Sequence, residues 1–275
     1  MTWRTLSSSI ALCSVLWIAP TFVQAQQPTP RPAPARPGPL VMLPDKPELD
    51  PKAIEILKAT SAKLAAAHTM SFTTIAAYES PARTLQPLAY TVQYDVTLQR
   101  PDKLRVISPG DGPPNEFYYD GKTMTAYEPQ SDLVAMADAP PTIDAMLKVA
   151  YQKAAITFPF DDVIAADPYK EFGAELKLAF YIGQSRVVGG TLTDMVAIAN
   201  DTAQAEVWIG AEDKLPRMIH LTFFKEPGQF RHVVEFSNWK LDPTLPPGTF
   251  NSDKAAKGKR INFAAPDDAP KPKPK

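Results

Sequence analysis

Apolar and polar residues alternate with period two through Tyr90, Val92, Tyr94, Val96 and Leu98, with Thr91, Gln93, Asp95 and Thr97 between them. One face of that stretch is apolar and the other polar, as in an antiparallel strand with a single buried side. Similar runs predict strands at Met70–Glu79, Leu104–Ser108, Glu116–Tyr119, Lys122–Tyr127 and Leu133–Ala137. Asp120-Gly121 supplies a two-residue hairpin turn. After a helical middle, strands resume at Lys177–Val188 and Leu192–Ala199. A meander of Ala205–Ile209, Arg217–Phe224 and Phe230–Leu241 follows, its breaks rich in charge, Gly and Pro. If Lys225–Gln229 is a five-residue loop, Thr222 faces His232, and His220 lies diagonal to it on the same face.

The period changes to helical in two places. Asp50 is placed to cap a helix opening at Pro51, with Ile54, Leu57, Ser61, Leu64, Ala65 and His68 on one side. At about 1.5 Å per residue it spans ~27 Å, enough to cross a sheet. Its terminal His68 reads as a favourable charge at the helix C-terminus. Thr142 caps a second helix, Ile143–Ala155, with Ile143, Met146, Leu147, Ala150 and Tyr151 on one side. A short helix is expected at Phe160–Ala166, ended by Asp167-Pro168. About ten strands with helices at the start and middle predict a mainly β (α+β) fold. A sheet that wide must curl, so the expected form is a single curved antiparallel sheet with helices covering its concave face.

The ends are of another kind. Residues 1–25 carry Arg4, an apolar run Ile10–Ala19 and Val23-Gln24-Ala25, the pattern of a cleaved secretory signal. The apolar run is about half the length a membrane span needs. Residues 26–50 are a Pro-rich linker favouring extended polyproline conformations. Residues 264–275 form a Pro/Lys tail ending KPKPK, whose few positive charges leave peripheral contact with a membrane open. Between them, 51–263 reads as one domain. The single cysteine, Cys13, lies in the signal, so the exported chain would lack disulfides, zinc–thiolate sites and Cys catalysis. An exported chain without disulfides needs an ordinary core. The net charge of −1, with no basic stripe, argues against nucleic acid.

Candidate chemistry is sparse. The three histidines offer no third ligand at metal-binding spacing, so His220 and His232 read as polar residues of a sheet face and no metal or cofactor is expected. Asp161-Asp162 sits at a helix N-terminus, where acids are expected, and Asp267-Asp268 lies in the tail. No nucleophile elbow, zinc helix, phosphate loop or dinucleotide fingerprint is present, so no catalytic residue is assigned. Aromatics are the remaining signal: Tyr90, Tyr94, Phe117, Tyr119, Trp208, Phe223, Phe224, Phe236 and Trp239. A broad sheet under two or three helices leaves room for an apolar cavity suited to a lipid or other greasy ligand.

The segments DPKAIEILK (50–58), RPDKLRV (100–106), EFYYDGKTMTAYEP (116–129), EVWIGAEDKLPRMI (206–219) and FSNWKLDPTLPPGTF (236–250) resemble the predicted periplasmic proteins grouped as domain of unknown function 2092. That family is in turn similar to LolA/LolB-type lipoprotein carriers, whose fold is an incomplete β-barrel with helices lidding an acyl-binding cavity. The resemblance implies a periplasmic, non-enzymatic protein that holds lipid or an acylated protein. Tyr90, Val92, Tyr94, Val96 and Leu98 would line the cavity. Ile54–Leu64, through Leu57 and Leu64, and Ile143–Tyr151, through Met146 and Leu147, would lid it. The alternative is an envelope regulatory or assembly module that binds a protein partner, its cavity filled by core side chains.

Overall fold

The computed structural model describes residues 43–44, 46–80, 87–110, 113–173, 175–225 and 228–265. The chain divides after Val41 into two units, and all described residues belong to the second. The expected signal, the linker as far as Met42 and the tail from Pro266 lie outside the described residues.

Thirteen strands form one sheet: β1 Glu48–Leu49, β2 Thr69–Ser80, β3 Leu88–Gln99, β4 Lys103–Ser108, β5 Asn115–Tyr119, β6 Thr123–Glu128, β7 Leu133–Asp138, β8 Leu178–Ser185, β9 Thr193–Ala199, β10 Gln204–Gly210, β11 Pro216–Thr222, β12 Arg231–Leu241 and β13 Lys259–Ile261. The helices are α1 Pro51–Ala66, α2 Ile143–Ala154, α3 Asp161–Ile164, α4 Pro168–Gly173 and α5 Asp253–Lys257. Strand order is β1-β8-β9-β10-β11-β12-β2-β3-β4-β5-β6-β7-β13. The sheet is curved and open, an incomplete barrel with α5 packed on the outer face against Tyr127 and Val134 and α1 to α4 on its concave side. The order explains why they lie there. β7 stands near one edge and β8 near the other, so the chain joining them must traverse the sheet. It does so through α2, α3 and α4, whose apolar residues find the inner face on the way.

The sheet is not antiparallel throughout. β1 pairs parallel with β8, and β13 pairs parallel with β7. Both edges are closed by two or three residues from the flanking ends of the domain, one a piece of the expected linker. Covering an edge in this way hides backbone groups that would otherwise template other strands.

Two large clusters make up most of the core, with a small third of Tyr127, Val134 and Ala255. The larger joins Met70, Phe72, Val96 and Leu98 of the central strands to Met146 and Ala150 of α2 and Val163 and Ile164 of α3. The second packs Ala53, Ile56 and Leu57 of α1 against Val196, Ile198, Val207 and Ile209. Because Leu64 at the far end of α1 belongs to the first cluster, this helix straddles both. Asp50 caps it as expected, its Oδ1 accepting from the Lys52 N–H at 2.9 Å. The other carboxylate oxygen accepts from the Tyr181 N–H at 3.0 Å, which ties the helix start to edge strand β8. The Tyr181 and Lys52 amides together hold the Asp50 carboxyl below its ordinary range.

At the other end the expectation fails in an informative way. The helix stops at Ala66, and His68 belongs to the turn into β2, donating its N–H to Asp242 Oδ1 at 2.7 Å. The cation at the α1 C-terminus is Arg100. Its guanidinium donates to the Ile164 carbonyl at 3.0 Å and the Leu64 carbonyl at 3.5 Å, so one side chain closes the ends of α1 and α3 together. Burial pulls its pKa down, partly offset by Asp144. Tyr151, expected on the apolar side of α2, is exposed, and Ala155 ends that helix in the left-handed region. Pro168, expected only as a stop, opens α4, where its missing N–H costs nothing.

Arg100→Met should therefore strip both helix ends of their shared donor and lower unfolding stability by about 1–3 kcal/mol, read by urea denaturation. Asp50→Ala should likewise lower the melting temperature. Since the Asp50 pKa is depressed, the contribution it removes is present above the ordinary carboxylate pKa and fades as pH falls through the folded value. The deficit of the variant should shrink in acid.

Candidate ligand-binding face

The site is built on the β2–β3 ladder, which pairs Met70 with Leu98, Phe72 with Val96, Thr74 with Tyr94, Ala76 with Val92 and Tyr78 with Tyr90. Directly paired residues share a face, so all ten side chains stand on the inner, helix-covered side. Their exposure is graded along it. Leu98 and Val96 are 0% and 1% exposed, Tyr94 and Val92 are half-buried, and Tyr90 is 47% exposed. Leu88, two residues beyond Tyr90 on the same side, is exposed as well.

The lower part is packed with side chains. Leu64, Met146, Val96 and Leu98 belong to the larger cluster, Leu147 packs against it, and Leu57 belongs to the second. The structure thus brings Val96, Leu98, Leu64, Met146 and Leu147 together, and sets Leu57 apart, over β9 and β10. The seal above them comes from the α2–α3 connection. Phe158 and Phe160 stack at 5.4 Å, and Tyr94 meets both edge-on, at 6.3 Å and 5.6 Å. Phe160 also meets Phe72 edge-on at 5.6 Å. Sequence reasoning assigned neither phenylalanine to the site, although Phe-Pro-Phe between two helical stretches was the available signal.

Above Tyr94 the apolar face continues without helical cover. Tyr90 stacks on Tyr78 at 5.9 Å, Tyr78 lies 6.0 Å from His232, and His232 meets Phe223 at 5.2 Å. This aromatic rim runs from β3 through β2 and β12 to the end of β11. A pocket of about 460 Å³ opens at the same end of the sheet. Its lining includes Tyr78, Phe180, Ile198, Leu221 and His232, with polar groups from Glu79, Glu206, His220 and Arg231. Arg231 grips the Glu79 carboxylate through Nη2 at 2.6 Å and Nε at 3.1 Å, which holds that carboxyl below its ordinary range.

The two histidines do not share a face. Leu221 pairs with His232 and His220 with Val233, one residue away from the expected register, so the pair parts across the sheet. His220 packs on Trp208 at 4.9 Å. β11 ends at Thr222, two residues short of Phe224, and the longer loop changes the parity. Among the described residues, no group of three His, Cys, Asp or Glu side chains is placed to hold a metal ion.

The family model for predicted periplasmic proteins, DUF2092, matches residues 53–264. The chain belongs to that family. Its place is the periplasm, and the DUF2092 match spans every element described above from α1 to β13. No curated protein sequence matches. Solved structures similar to this DUF2092 chain include LprF from Mycobacterium bovis, 16% identical over 72% of this chain and 97% of that one, TM-score 0.46. A LolA superfamily protein from Nitrosomonas europaea is 11% identical over 73% and 98%, TM-score 0.35. The Pseudomonas aeruginosa MucA/MucB complex contains a chain 15% identical over 76% of this protein and 64% of that chain, TM-score 0.44.

A titratable group also lies in the helical cover beside the site. Burial, reinforced by the charge of neighbouring Asp162, pushes the Asp161 carboxyl from its ordinary 3.8 up to about 7. A folded-state pKa raised above the unfolded value gives stability that is complete below about 4 and lost as pH rises through about 7. The α3 segment beside Phe160 should therefore be held more firmly in mild acid than in mild base. Asp161→Asn should raise the melting temperature at pH 8 and leave it nearly unchanged at pH 4.5. Parallel shifts at both pH values would contradict the assignment.

Proposed function

We propose that this DUF2092 protein is a non-enzymatic periplasmic binder of acyl chains, carrying a lipid or the lipid moiety of an acylated protein on the inner face of its sheet. The observation that carries the reading is that the apolar inner face outruns its helical cover. Below Tyr94 the face is filled by the protein's own side chains. Above it, Val92, Tyr90, Leu88 and Tyr78 continue the same apolar row into the open, beside a pocket of about 460 Å³. Soluble proteins rarely leave an aromatic and aliphatic row of this kind uncovered without a ligand to cover it. The pocket has the size and the mixed lining of a small-molecule site.

An acyl chain laid on the row would touch Tyr90, Val92 and Tyr94 first. Each methylene removed from water contributes about 0.8 kcal/mol, so a long chain gains several kcal/mol from this face alone. Deeper entry would need the Phe158–Phe160 seal and α2 to move. Val96, Leu98, Leu64, Met146 and Leu147 would then become lining instead of core, and Leu57 would follow if α1 tilted. A polar head would be left at the rim, near His232 and the Glu79–Arg231 pair. Such a ligand also resembles what the LolA superfamily and lipoprotein-sorting names among the structural neighbours describe for those proteins.

Native mass spectrometry with organic extraction of protein isolated from the periplasm is the direct test, and a stoichiometric lipid is expected. Val92→Asp places a charge in the middle of the row and should weaken binding of a fluorescent fatty acid by about tenfold or more. Ile182→Ser, on β8 away from the row, should leave it unchanged. A lipid-free mass together with equal fatty-acid binding by both variants would overturn the proposal.

A further inference from the structure

The outer face of the sheet carries a second concavity unlike the first. Lys240 pairs with Ser71, Ser71 with Thr97, Thr97 with Arg105 and Arg105 with Tyr118. One cross-strand row therefore runs over five neighbouring strands. Its members alternate with core residues such as Met70, Leu98 and Leu104, which fixes them on the side away from α1 to α4. Above the row lies the segment after β12, which turns back over the sheet and borders an open groove of about 500 Å³.

That segment is anchored at both ends. Asp242 Oδ1 accepts from the His68 and Thr69 amides at 2.7 Å and 3.2 Å, and the Thr69 hydroxyl donates to the Pro243 carbonyl at 2.8 Å. At the far end Phe250 is buried and Ser252 caps α5. Between the anchors, the Thr249 hydroxyl donates to the Pro246 carbonyl at 2.7 Å. Pro243, Pro246 and Pro247 stiffen the strap and bring no N–H of their own.

The chemistry beneath the strap is one-sided. Among the described residues no acidic side chain lines the pocket, while Arg105 and Lys240 both do. The Ser71 and Thr97 hydroxyls between them have no hydrogen-bond partner among the described residues, and Lys240 has no ion pair there. Arg105 rests against the Tyr118 oxygen, and the Tyr118 hydroxyl donates to Glu116 at 2.7 Å, which holds the ring in place. Strands lie about 4.8 Å apart, so Arg105 and Lys240 rise from backbones ~14 Å apart. Two long cationic side chains bracket the space over the hydroxyls at that separation.

We infer that this strapped outer pocket is a binding site for a phosphate-bearing ligand, with Arg105 and Lys240 as its counter-charges and Ser71 and Thr97 as hydroxyl donors. Arg and Lys together with neutral hydroxyl donors are the groups that hold a phosphate through charge-assisted hydrogen bonds. The pocket exceeds the size of a bare phosphate and accommodates a small alcohol esterified to it. Both a phospholipid headgroup and a free phosphorylated polyol present that chemistry. The site stands on the opposite face from the acyl row and does not depend on it.

The test is calorimetric titration of the full exported protein with glycerol phosphate and with inorganic phosphate. Co-sedimentation with vesicles of phosphatidylglycerol, and of phosphatidylcholine as the zwitterionic control whose phosphate is neutralised by its own choline, runs in parallel. Binding of the soluble phosphates identifies a free ligand. Binding of phosphatidylglycerol vesicles alone identifies a headgroup. In either case Lys240→Gln and Arg105→Gln should each weaken the interaction by about tenfold. Lys240 is exposed, so its variant folds even if that of Arg105 does not. Absence of binding to every probe, or binding that survives Lys240→Gln undiminished, overturns the inference.

Discussion

Everything in this fold answers to one constraint: the inner face of a thirteen-stranded open sheet has to be shielded from water by very few helices. α1 does most to meet it, because among the described helices it alone contributes to both large core clusters, with Leu57 in one and Leu64 in the other. Its position is fixed by charge and hydrogen bonding at its ends more than by its own length. Asp50 ties the start to β8, and Arg100 ties the finish to α3. A helix held at both ends can be short and still act as a beam across the sheet.

The same constraint explains why the site is a face and not a closed chamber. α2, α3 and the two phenylalanines between them cover the sheet as far as Tyr94 and no further. The strands go on for several residues, because the twelve residues of β2 and of β3 extend about 40 Å while the twelve of α2 rise only about 18 Å. The apolar surface beyond the cover is where the proposed ligand would lie. Asp161 makes the cover itself responsive: with its carboxyl up to about 7, the α3 segment carries a protonation equilibrium near neutrality beside the residues that seal the row.

Much of this was legible from residues alone, and the reasons differ by element. The alternation from Tyr90 to Leu98 names the inner face outright, since period two with one apolar side has a single structural solution. Asp50-Pro51 marks the α1 start because both residues carry local backbone requirements. The β11–β12 register was misjudged for an equally physical reason. Loop length sets parity, and sequence does not announce that pairing stops at Thr222 when Phe223 and Phe224 are as strand-compatible as their predecessors. The parallel edge strands Glu48–Leu49 and Lys259–Ile261 are too short to carry any period. Arg100 was invisible as a clamp, because its partners are main-chain carbonyls from two distant helices. The strapped outer pocket was hidden in the same way: Ser71, Thr97, Arg105 and Lys240 become one row only after three strand registers are known.

Those edges also bear on how a protein partner could be held, the second role the sequence left open. Edge-strand addition, in which a peptide extends a sheet through backbone hydrogen bonds, needs a free edge. Here β1 occupies the β8 edge at Leu178 and Ala179, and Asp50 takes the next inward N–H, that of Tyr181. β13 occupies the β7 edge from Leu133 to Ala135. Half or less of each edge strand is left for a newcomer, short of the length over which backbone pairing alone supports a stable addition. A partner would have to engage side chains on a face instead, and the inner face with its uncovered apolar row is the one with area to offer. On the proposed reading, acyl binding and partner binding would compete for the same surface, so an acylated protein could satisfy both at once by placing its lipid where a bare polypeptide would have to spend side chains.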